Sequence, residues 1–370
     1  MIITYVAIVF LVAFFYTRLL YNYGQLWRAI PESKYQAKTK ESIKPIRVSI
    51  LIPFRNEANS LPNLIESLNR LNTFNIDVEV IFIDDHSTDD GQSYINDCRL
   101  SKKLIPLIHG TGKKEAIQLG WKHVSGEYIF QTDADCILPK NWIPSMISLF
   151  DNEVHFVSGP VLFHESKKIW NQLVAIDFMS LISIGAAHIQ WKHPLMCNGA
   201  NMAYRSALIN SIELKSNRAS GDDVFLLQSA FQKTSDGIRF CKDKQAIVYT
   251  KGPDNINIFW NQRLRWASKN NEFESKWNTI ILIGVWVFNV IILISFLSFH
   301  KIGLLGGFFL VLIKLISELN FYSSYAQFMG YKKGLPYILM GQFLHIIYMV
   351  ILPPLSQILS FTWKERVMKK

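Results

Sequence analysis

Two aspartates one residue apart carry the clearest chemistry in the chain. Asp133 and Asp135 directly follow a short apolar run at residues 128–131. Two carboxylates with this spacing in a loop can face one divalent cation, and hard oxygen ligands suit Mg²⁺ or Mn²⁺. Such a pair alone is more often a solvated acidic turn. Its place after an apolar strand, together with a second acidic loop, favours a metal site.

Two further acidic clusters flank this pair in the sequence. Residues 84–89 (DDHSTD) follow another apolar run, and their side chains could accept hydrogen bonds from a nucleotide or cap the next helix. Asp222 and Asp223 follow Gly221. Taken alone, this last pair is typical of a helix start, where acidic side chains are favoured.

A basic and aromatic segment at residues 254–278 is the fourth candidate. Its centre reads QRLRW, in which Arg263 and Arg265 offer planar donors for phosphate oxygens and Trp266 offers a ring face for a sugar or a headgroup. Aromatic side chains beside cations also favour the headgroup layer of a membrane. The pattern predicts an interfacial helix.

The elements that position the acidic clusters alternate between strand and helix. Such alternation predicts an α/β domain with a parallel sheet covered by helices on both faces. In open sheets of this kind ligands bind at the carboxyl ends of the strands, where two of the acidic loops lie. The predicted strands are residues 46–53, 78–83, 128–131 and 155–163, and the predicted helices are 57–71, 89–98, 113–124, 166–189 and one after Gly221.

Four long apolar stretches predict a membrane protein with a water-soluble insert. The first shows no cleavage pattern and is predicted to be a retained anchor. Lys and Arg cluster directly after it, which predicts a cytoplasmic insert. The stretches are residues 2–20, 279–299, 302–312 and 335–358.

The sequence leaves a conflict in the membrane topology. Three full crossings after the insert would put Lys332 and Lys333 inside but the basic tail at residues 361–370 outside, against the positive-inside tendency. Pro353 and Pro354 could break the last helix, so a re-entrant or surface-lying final segment is an alternative. Lys314 and Glu318, four residues apart in an apolar stretch, are predicted to neutralise each other.

Charge and cysteine usage narrow the function classes. The formal net charge is +10, but much of the excess flanks the apolar stretches, which favours anionic lipid headgroups over nucleic acid as its partner. The cysteines form no metal-ligand spacing and predict free thiols in a reducing compartment. They are Cys98, Cys136, Cys197 and Cys241.

Taken together, the motifs resemble the family 2 glycosyltransferases of the GT-A fold, including ceramide glucosyltransferase-like and polysaccharide synthase-like members. The order and spacing of the motifs agree with that family over about residues 46–270. The motifs are 48–57 (VSILIPFRNE), 80–89 (VIFIDDHSTD), Gly112-Lys113 before a helix, 132–135 (TDAD), 221–223 (GDD) and 262–266 (QRLRW).

This resemblance implies a role for each motif residue. Asp85 would contact the nucleotide base, Glu57 and Lys113 would lie in the nucleotide-sugar site, and Asp133 and Asp135 would bind the sugar nucleotide with its Mg²⁺ or Mn²⁺. Asp223 would be the general base that deprotonates the acceptor hydroxyl, a contribution of about 10²–10⁴-fold. Residues of the acceptor and diphosphate site would be Asp222, which stands where the family usually has glutamate, and Gln262, Arg263, Arg265 and Trp266.

The predicted function is inverting, metal-dependent transfer of a sugar from a nucleotide diphosphate, UDP by resemblance, to a membrane-associated acceptor, a lipid or a glycan. A processive polysaccharide synthase is the alternative within the family, and a non-catalytic nucleotide-sensing membrane scaffold is the alternative of another class. The predicted domains are an anchor (1–23), a linker (24–45), the GT-A domain (46–252), the interfacial segment (253–278), a membrane region of two to three helices (279–360) and the tail (361–370).

Overall fold

The computed structural model describes residues 2–35, 44–211, 222–267, 276–331, 334–359, 361–363 and 366–368. Several predicted features lie outside these ranges: part of the linker, Gly221, the end of the interfacial segment, Lys332, Lys333 and parts of the tail.

The elements, in chain order, are α1 (Ile2–Ala29), β1 (Ile46–Phe54), α2 (Leu61–Leu68), β2 (Ile76–Asp84), β3 (Ser101–Pro106), α3 (Lys113–Trp121), β4 (Tyr128–Gln131), α4 (Trp142–Ile147), β5 (Phe156–Ser158), β6 (Val161–Phe163), α5 (Ile169–Gln190), β7 (Met202–Arg205), α6 (Asp222–Lys233), β8 (Ile238–Phe240), β9 (Val248–Thr250), α7 (Ile256–Ala267), α8 (Lys276–Leu297), α9 (Lys301–Tyr325), α10 (Leu335–Ser356), β10 (Phe361–Trp363) and β11 (Arg366–Met368).

The described chain divides into two compact units. The first, called the helical unit here, contains residues 1–29, 165–188 and 253–370. The second, called the sheet unit, contains residues 30–164 and 189–252. The long helix α5 thus belongs to the helical unit, although the chain on both of its sides belongs to the sheet unit.

A seven-stranded mixed sheet forms the centre of the sheet unit, in the order β3-β2-β1-β4-β7-β5-β8. Strand β1 pairs in parallel with β2 and β4, as predicted. Strand β3, which was not predicted, pairs in parallel with β2. Strand β7 is antiparallel to both β4 and β5, so the sheet is not purely parallel. The predicted strand at 155–163 is two short strands in different sheets, because β6 leaves the main sheet and pairs with β9.

Both faces of the sheet are covered because β1 is apolar on both sides. Leu51 points to one face, where it lies with Ile83 against Gly120 of α3. Ile50 and its register partner Phe130 point to the other face, where Phe130 packs edge-on against Trp142 of α4. The prediction of a sheet with helices on both faces is confirmed.

Glu79 ties the amino ends of the central strands together. Its carboxylate accepts hydrogen bonds from Ser49 Oγ (2.5 Å), Lys103 Nζ (2.9 Å) and the backbone N–H of Ser125 (2.6 Å). Burial disfavours the charged form, but these hydrogen bonds outweigh it and lower the pKa of Glu79 to about 2. Since the acidic clusters lie at the carboxyl ends, this contact stabilises the sheet from the opposite edge.

Replacing Glu79 by glutamine is expected to lower the thermal unfolding midpoint at pH 7 by roughly 3–10 °C, because hydrogen bonds to a charged group are lost. A carboxyl whose folded pKa lies below its ordinary value stabilises the fold above that ordinary value and loses the effect as pH falls towards 2. The difference between the two proteins, measured by intrinsic fluorescence, should therefore shrink between pH 5 and pH 2.5. A difference that is the same across this range would contradict the assignment.

Apolar helices dominate the helical unit. Within the described residues, five helices are long and apolar enough to cross a membrane: α1, α5, α8, α9 and α10. Only α5 was predicted as part of the soluble insert. Inside the unit, Lys314 of α9 forms the predicted ion pair with Glu318, and Gln342 and His345 of α10 contact the same ammonium at 3.0 Å.

Candidate active site

Asp85 anchors one side of a cluster at the carboxyl ends of the parallel strands. Its side chain is buried, and its Oδ2 accepts a hydrogen bond from the backbone N–H of Gly112 at 3.0 Å. Gly112 has a φ of +101°, a conformation that favours glycine, and it directly precedes α3. The contact places Asp85 beside the first residue of α3, Lys113.

The loops after β1 and β2 are tied to each other at this edge. Arg55 Nη1 donates to the carbonyl oxygens of Asp85 (2.8 Å) and His86 (2.7 Å). Asn56 and His86 both adopt left-handed backbone conformations that turn the two loops. Glu57, a predicted nucleotide-sugar residue, lies half-buried in the first loop. The two loops thus form one wall next to Asp85.

Lys113 joins this wall to the aspartate pair after β4. Its ammonium forms an ion pair with Asp133, and both side chains remain partly accessible to solvent. The ammonium and the first turn of α3 supply positive charge next to carboxylates that would otherwise repel an anionic ligand. The predicted nucleotide residues Asp85, Lys113 and Asp133 are therefore neighbours.

Asp135 lies two residues further along the same loop. Its Oδ2 accepts a hydrogen bond from Thr250 Oγ1, at the end of β9, at 3.1 Å. Cys136 next to it is fully enclosed, and burial, followed by the charges of Asp135 and Asp133, raises the pKa of its thiol well above the ordinary value. The carboxylates of Asp133 and Asp135 therefore both lie close to the Cys136 thiol.

Gly199 brings the third acidic cluster to the same place. A methyl group at Gly199 would lie 3.1 Å from Lys113 Nζ, 3.5 Å from Asp223 Cβ and 3.6 Å from Gln131 Nε2. Lys113, the end of β4 and Asp223 therefore surround one glycine. Distant parts of the chain converge here because the backbone at residue 199 has no side chain.

Asp223 is held by the first turn of α6. Its Oδ1 accepts a hydrogen bond from the backbone N–H of Val224 (2.9 Å), and its carbonyl oxygen accepts one from Cys197 Sγ (3.3 Å). The Nζ atom of Lys114 lies 5.8 Å from the ring centroid of Phe225, which belongs to this first turn of α6. Asp222 begins α6, and its side chain lies outside the described part of the chain.

The turn at residues 198–201 reads NGAN and precedes β7. Two residues of this turn have different environments in the structure. Asn201 is fully buried and structural, since its amide donates to Pro160 and Ala246 and accepts from Trp142 Nε1, each at 2.8 Å. Gly199 lies in the cluster. Neither Gly199 nor Thr250 was assigned a site role, and the glycine within an N-G-A-N turn was the only sequence signal.

The QRLRW residues lie on α7, in the helical unit. Gln262, Arg265 and Trp266 are half-buried, whereas Arg263 is only 3% exposed and forms an ion pair with Asp177 of α5. Tyr348 of α10 donates its hydroxyl to the other oxygen of Asp177 at 2.8 Å. One arginine of the motif thus fixes α7 to two neighbouring helices.

Two aromatic rings enclose this arginine. The guanidinium carbon of Arg263 lies 4.8 Å from the ring centroid of Phe259 and 4.4 Å from that of Trp266. Within the described residues, its Nε and Nη1 have no hydrogen-bond partner. A cation so enclosed depends strongly on its single carboxylate partner.

Asp177→Asn is expected to destabilise the protein by about 3–5 kcal/mol, because it leaves the buried Arg263 without a counter-ion. Glu66→Gln is the control, since it removes the exposed ion pair with Arg70, for which a loss below about 1 kcal/mol is expected. Thermal unfolding of both variants in detergent measures the two effects. Equal, small losses would show that the Asp177 pair has no structural role.

The donor set at Asp133 and Asp135 fits a hard divalent cation. Within the described ranges, no three His, Cys, Asp or Glu side chains converge on one point. Mg²⁺ and related ions commonly use one or two protein carboxylates and take their other ligands from phosphate oxygens and water. Two adjacent, partly exposed carboxylates match that requirement.

A family model described as glycosyl transferase family 2 matches residues 49–212. The matched range contains Glu57, Asp85, Lys113, Asp133 and Asp135. Residues 49–212 therefore form a glycosyltransferase family 2 domain. Asp223 and the QRLRW motif follow the matched range.

Curated relatives agree with this family. A probable glycosyltransferase of Bacillus subtilis is 23% identical over 63% of the chain and 57% of its own length. An undecaprenyl-phosphate 4-deoxy-4-formamido-L-arabinose transferase of Yersinia enterocolitica is 32% identical over 36% of the chain and 42% of its own length. The chain thus spans about half the length of these relatives.

A solved structure agrees with the fold. A mannosyltransferase from Pyrobaculum calidifontis, determined in complex with GDP-Man and Mn²⁺, superposes with a TM-score of 0.53 at 16% identity, over 96% of this chain and 94% of that one. The chain therefore has the predicted GT-A fold, with additional apolar helices.

Proposed function

We propose that the protein is a family 2 glycosyltransferase that transfers a sugar, with inversion, from a nucleotide diphosphate to a lipid acceptor in the membrane. The observation that carries the proposal is the convergence around Gly199, where Lys113, bonded to Asp133, lies next to Asp223. The proposed donor residues Lys113 and Asp133 thus lie close to a separate carboxylate. A nucleotide sensor has no need of that additional acid.

The donor would lie along the loops at the carboxyl ends of β1, β2 and β4. Asp85 would bind the nucleoside, and Lys113 would bind diphosphate oxygens with its ammonium. Asp133 and Asp135 would hold a divalent cation, which when bound neutralises the leaving diphosphate. UDP is the default nucleotide only through the resemblance of the motifs.

Asp223 would act as the general base. Its carboxylate accepts the proton of the acceptor hydroxyl while that oxygen forms a bond to the anomeric carbon, and the bond from that carbon to the diphosphate breaks. A base that is not a metal ligand suits this step, because coordination weakens a carboxylate as a proton acceptor. Attack opposite the leaving group inverts the anomeric centre.

A lipid acceptor is supported by the apolar helices and by the name of the Yersinia relative, which acts on undecaprenyl phosphate. We place the sheet unit in the cytoplasm, because Lys and Arg cluster directly after α1. Gln262, Arg265 and Trp266, which are half-buried on α7, remain proposed contacts of the acceptor or the diphosphate. Arg263 is proposed to support them through its pair with Asp177.

The test is a transfer assay on purified full-length protein with labelled UDP- and GDP-sugars, with and without EDTA. Two acceptors are compared: a lipid that offers a hydroxyl, such as ceramide, which requires a base, and a polyprenyl phosphate, whose ionised phosphate oxygen does not. The expected product, identified by mass spectrometry, is a lipid carrying a single sugar, and EDTA should abolish its formation. A polymeric product would indicate a processive synthase. Donor binding without transfer or hydrolysis would favour the sensing scaffold and contradict the proposal.

A further inference from the structure

Two helices of the helical unit, α1 and α9, run side by side in the same direction. Near their beginnings, the hydroxyl of Tyr5 donates to the carbonyl oxygen of Gly303 at 3.3 Å. Near their ends, the ring of Trp27 packs edge-on against that of Tyr325, with centroids 6.2 Å apart. The two helices therefore begin at one end of the unit and finish at the other.

Helix α8 runs beside them in the opposite direction. The hydroxyl of Tyr5 lies 2.8 Å from Ser295 Oγ, close to the end of α8. The rings of Tyr16 and Phe288 stack with centroids 4.0 Å apart. The end of the bundle where α1 and α9 finish and α8 starts is called the linker end here, and the end with the turn at residues 298–300 is called the loop end.

Helix α10 begins near the linker end. The backbone N–H of Gly334 donates to the hydroxyl of Tyr322, one turn before α9 finishes, at 3.0 Å. Gln342 and His345 then contact Lys314, further along α9 towards the loop end. Up to this point the contacts are compatible with a helix that crosses the bundle.

The second half of α10 does not continue towards the loop end. Val350 lies about 12 Å beyond Gln342 along the helix axis and, in a crossing helix, would lie level with Ser295. Instead its carbonyl oxygen accepts a hydrogen bond from Trp286 Nε1 in the middle of α8, at 3.1 Å. Leu352 then packs against Leu264 and Ala267 of α7. Helix α10 thus passes across α9 and α8 and reaches α7.

The two sides of α10 differ in the way expected of a helix lying in a membrane surface. Its polar side carries Gln342, His345 and Tyr348, which contact Lys314 and Asp177. Its other side exposes a row of large apolar side chains. They are Leu335, Leu339, Met340, Phe343, Leu344 and Ile351.

Helix α5 is also excluded as a crossing. The chain before it, in β6, and the chain after it, in β7, belong to the same compact sheet unit. A helix whose two ends join one water-soluble unit on one side of a bilayer cannot span that bilayer. Of the five apolar helices, three remain as crossings.

The C-terminal hairpin of β10 and β11 follows α10, and β10 packs against α7. Since α7 also packs against the end of α10, the chain finishes on the side from which α8 departs. With α1, α8 and α9 as the crossings, the segments after α1, after α9 and after α10 belong to the same side of the bilayer, which removes the conflict in the charge pattern. The basic residues of the last two segments are Lys332 and Lys333, then Lys364, Arg366, Lys369 and Lys370.

We infer that the described part of the chain crosses the bilayer three times, through α1, α8 and α9, and that α10 is a surface helix embedded in the leaflet at the linker end. Its apolar side contacts acyl chains, and the basic tail after it contacts anionic headgroups of that leaflet. This inference does not depend on the proposed reaction.

Cysteine labelling tests where the tail lies. Lys34→Cys, His300→Cys and Lys369→Cys would each be made in the full-length chain and treated in intact cells with a membrane-impermeant maleimide, with the native protein as the blank for its own four thiols. We expect Lys34→Cys and Lys369→Cys to label alike, and His300→Cys to differ from both by at least about tenfold. Labelling of Lys369→Cys together with His300→Cys would overturn the inference, as would equal labelling of all three.

Nitroxide depth measurements test α10 itself and do not depend on the tail. Spin labels at Leu335→Cys, Phe343→Cys and Ile351→Cys would report membrane depth in vesicles containing anionic lipid, with positions spread over about 24 Å of helix. Because α10 begins beside Tyr322 and reaches the level of Lys314 at Gln342, Leu335 should lie nearest to the membrane surface, and a surface helix should then give similar depths at Phe343 and Ile351, within about 5 Å. A further increase in depth of about 10 Å or more from Phe343 to Ile351 would show that α10 crosses the bilayer.

Discussion

Asp223→Asn should lower the rate of sugar transfer by about 10²–10⁴-fold or more and leave the affinity for the donor nearly unchanged. The amide has the size of the carboxylate but cannot accept the proton of an acceptor hydroxyl. Asparagine can still accept the hydrogen bond that Asp223 Oδ1 receives from Val224, so the start of α6 should be preserved. The measurements are the transfer rate at saturating donor and donor affinity by calorimetry.

Asp236→Asn is the matched control for this variant. Asp236 is an acid of the same sheet unit, but it lies at the surface and pairs with Lys192, away from the cluster. Its replacement should leave both rate and affinity unchanged. If Asp223→Asn weakened donor binding as much as it slowed transfer, Asp223 would be part of the donor site and another base would be required.

Asp135→Ala should have the opposite effect to Asp223→Asn: its main loss should be in metal-dependent binding of the donor. Losing one of two carboxylate ligands should weaken metal and donor affinity by at least about 10–100-fold. Metal titration of donor binding with Mn²⁺ measures this effect. Metal affinity equal to that of the unaltered protein would contradict the assignment of Asp135 as a ligand.

Thr250→Val serves as a graded control for Asp135. Thr250 contacts the Asp135 carboxylate at 3.1 Å but offers no negative charge. Removing its hydroxyl should loosen the orientation of the carboxylate and weaken metal affinity less than Asp135→Ala does. An effect of Thr250→Val larger than that of Asp135→Ala would contradict this ranking.

The parallel part of the fold was predictable because β1, β2 and β4 are short apolar runs that end in polar loops. Such runs place their loops at one sheet edge, and Asp85 and Asp133 were placed there on that basis. The antiparallel strand β7 was not predictable in the same way. It has four residues, and its position depends on pairing with β4, more than 70 residues earlier.

The basic aromatic helix shows what spacing cannot reveal. The composition of α7 predicted arginines exposed to phosphate or headgroups, but Arg263 is enclosed and paired with Asp177, 86 residues away. In contrast, Lys314 and Glu318 were predicted correctly because their partners lie one helical turn apart. Local pairs are visible in a sequence, whereas pairs between distant helices require the structure.

Helix α5 was assigned to the soluble insert because the sequence around it has soluble character. It packs instead in the helical unit, where Leu173 approaches Gly341 of α10 and Trp170 donates to the carbonyl oxygen of Pro253 at 3.0 Å. Its apolar residues surround the whole helix, and this pattern does not distinguish a buried soluble helix from a membrane helix.

The most direct test of the central claim is a structure of the full-length protein with a nucleotide diphosphate sugar and Mn²⁺. We expect the nucleoside at Asp85, the ion at Asp133 and Asp135, and the anomeric carbon facing Asp223. A nucleotide bound elsewhere, or an anomeric carbon remote from Asp223, would show that the three acidic clusters do not form one catalytic site.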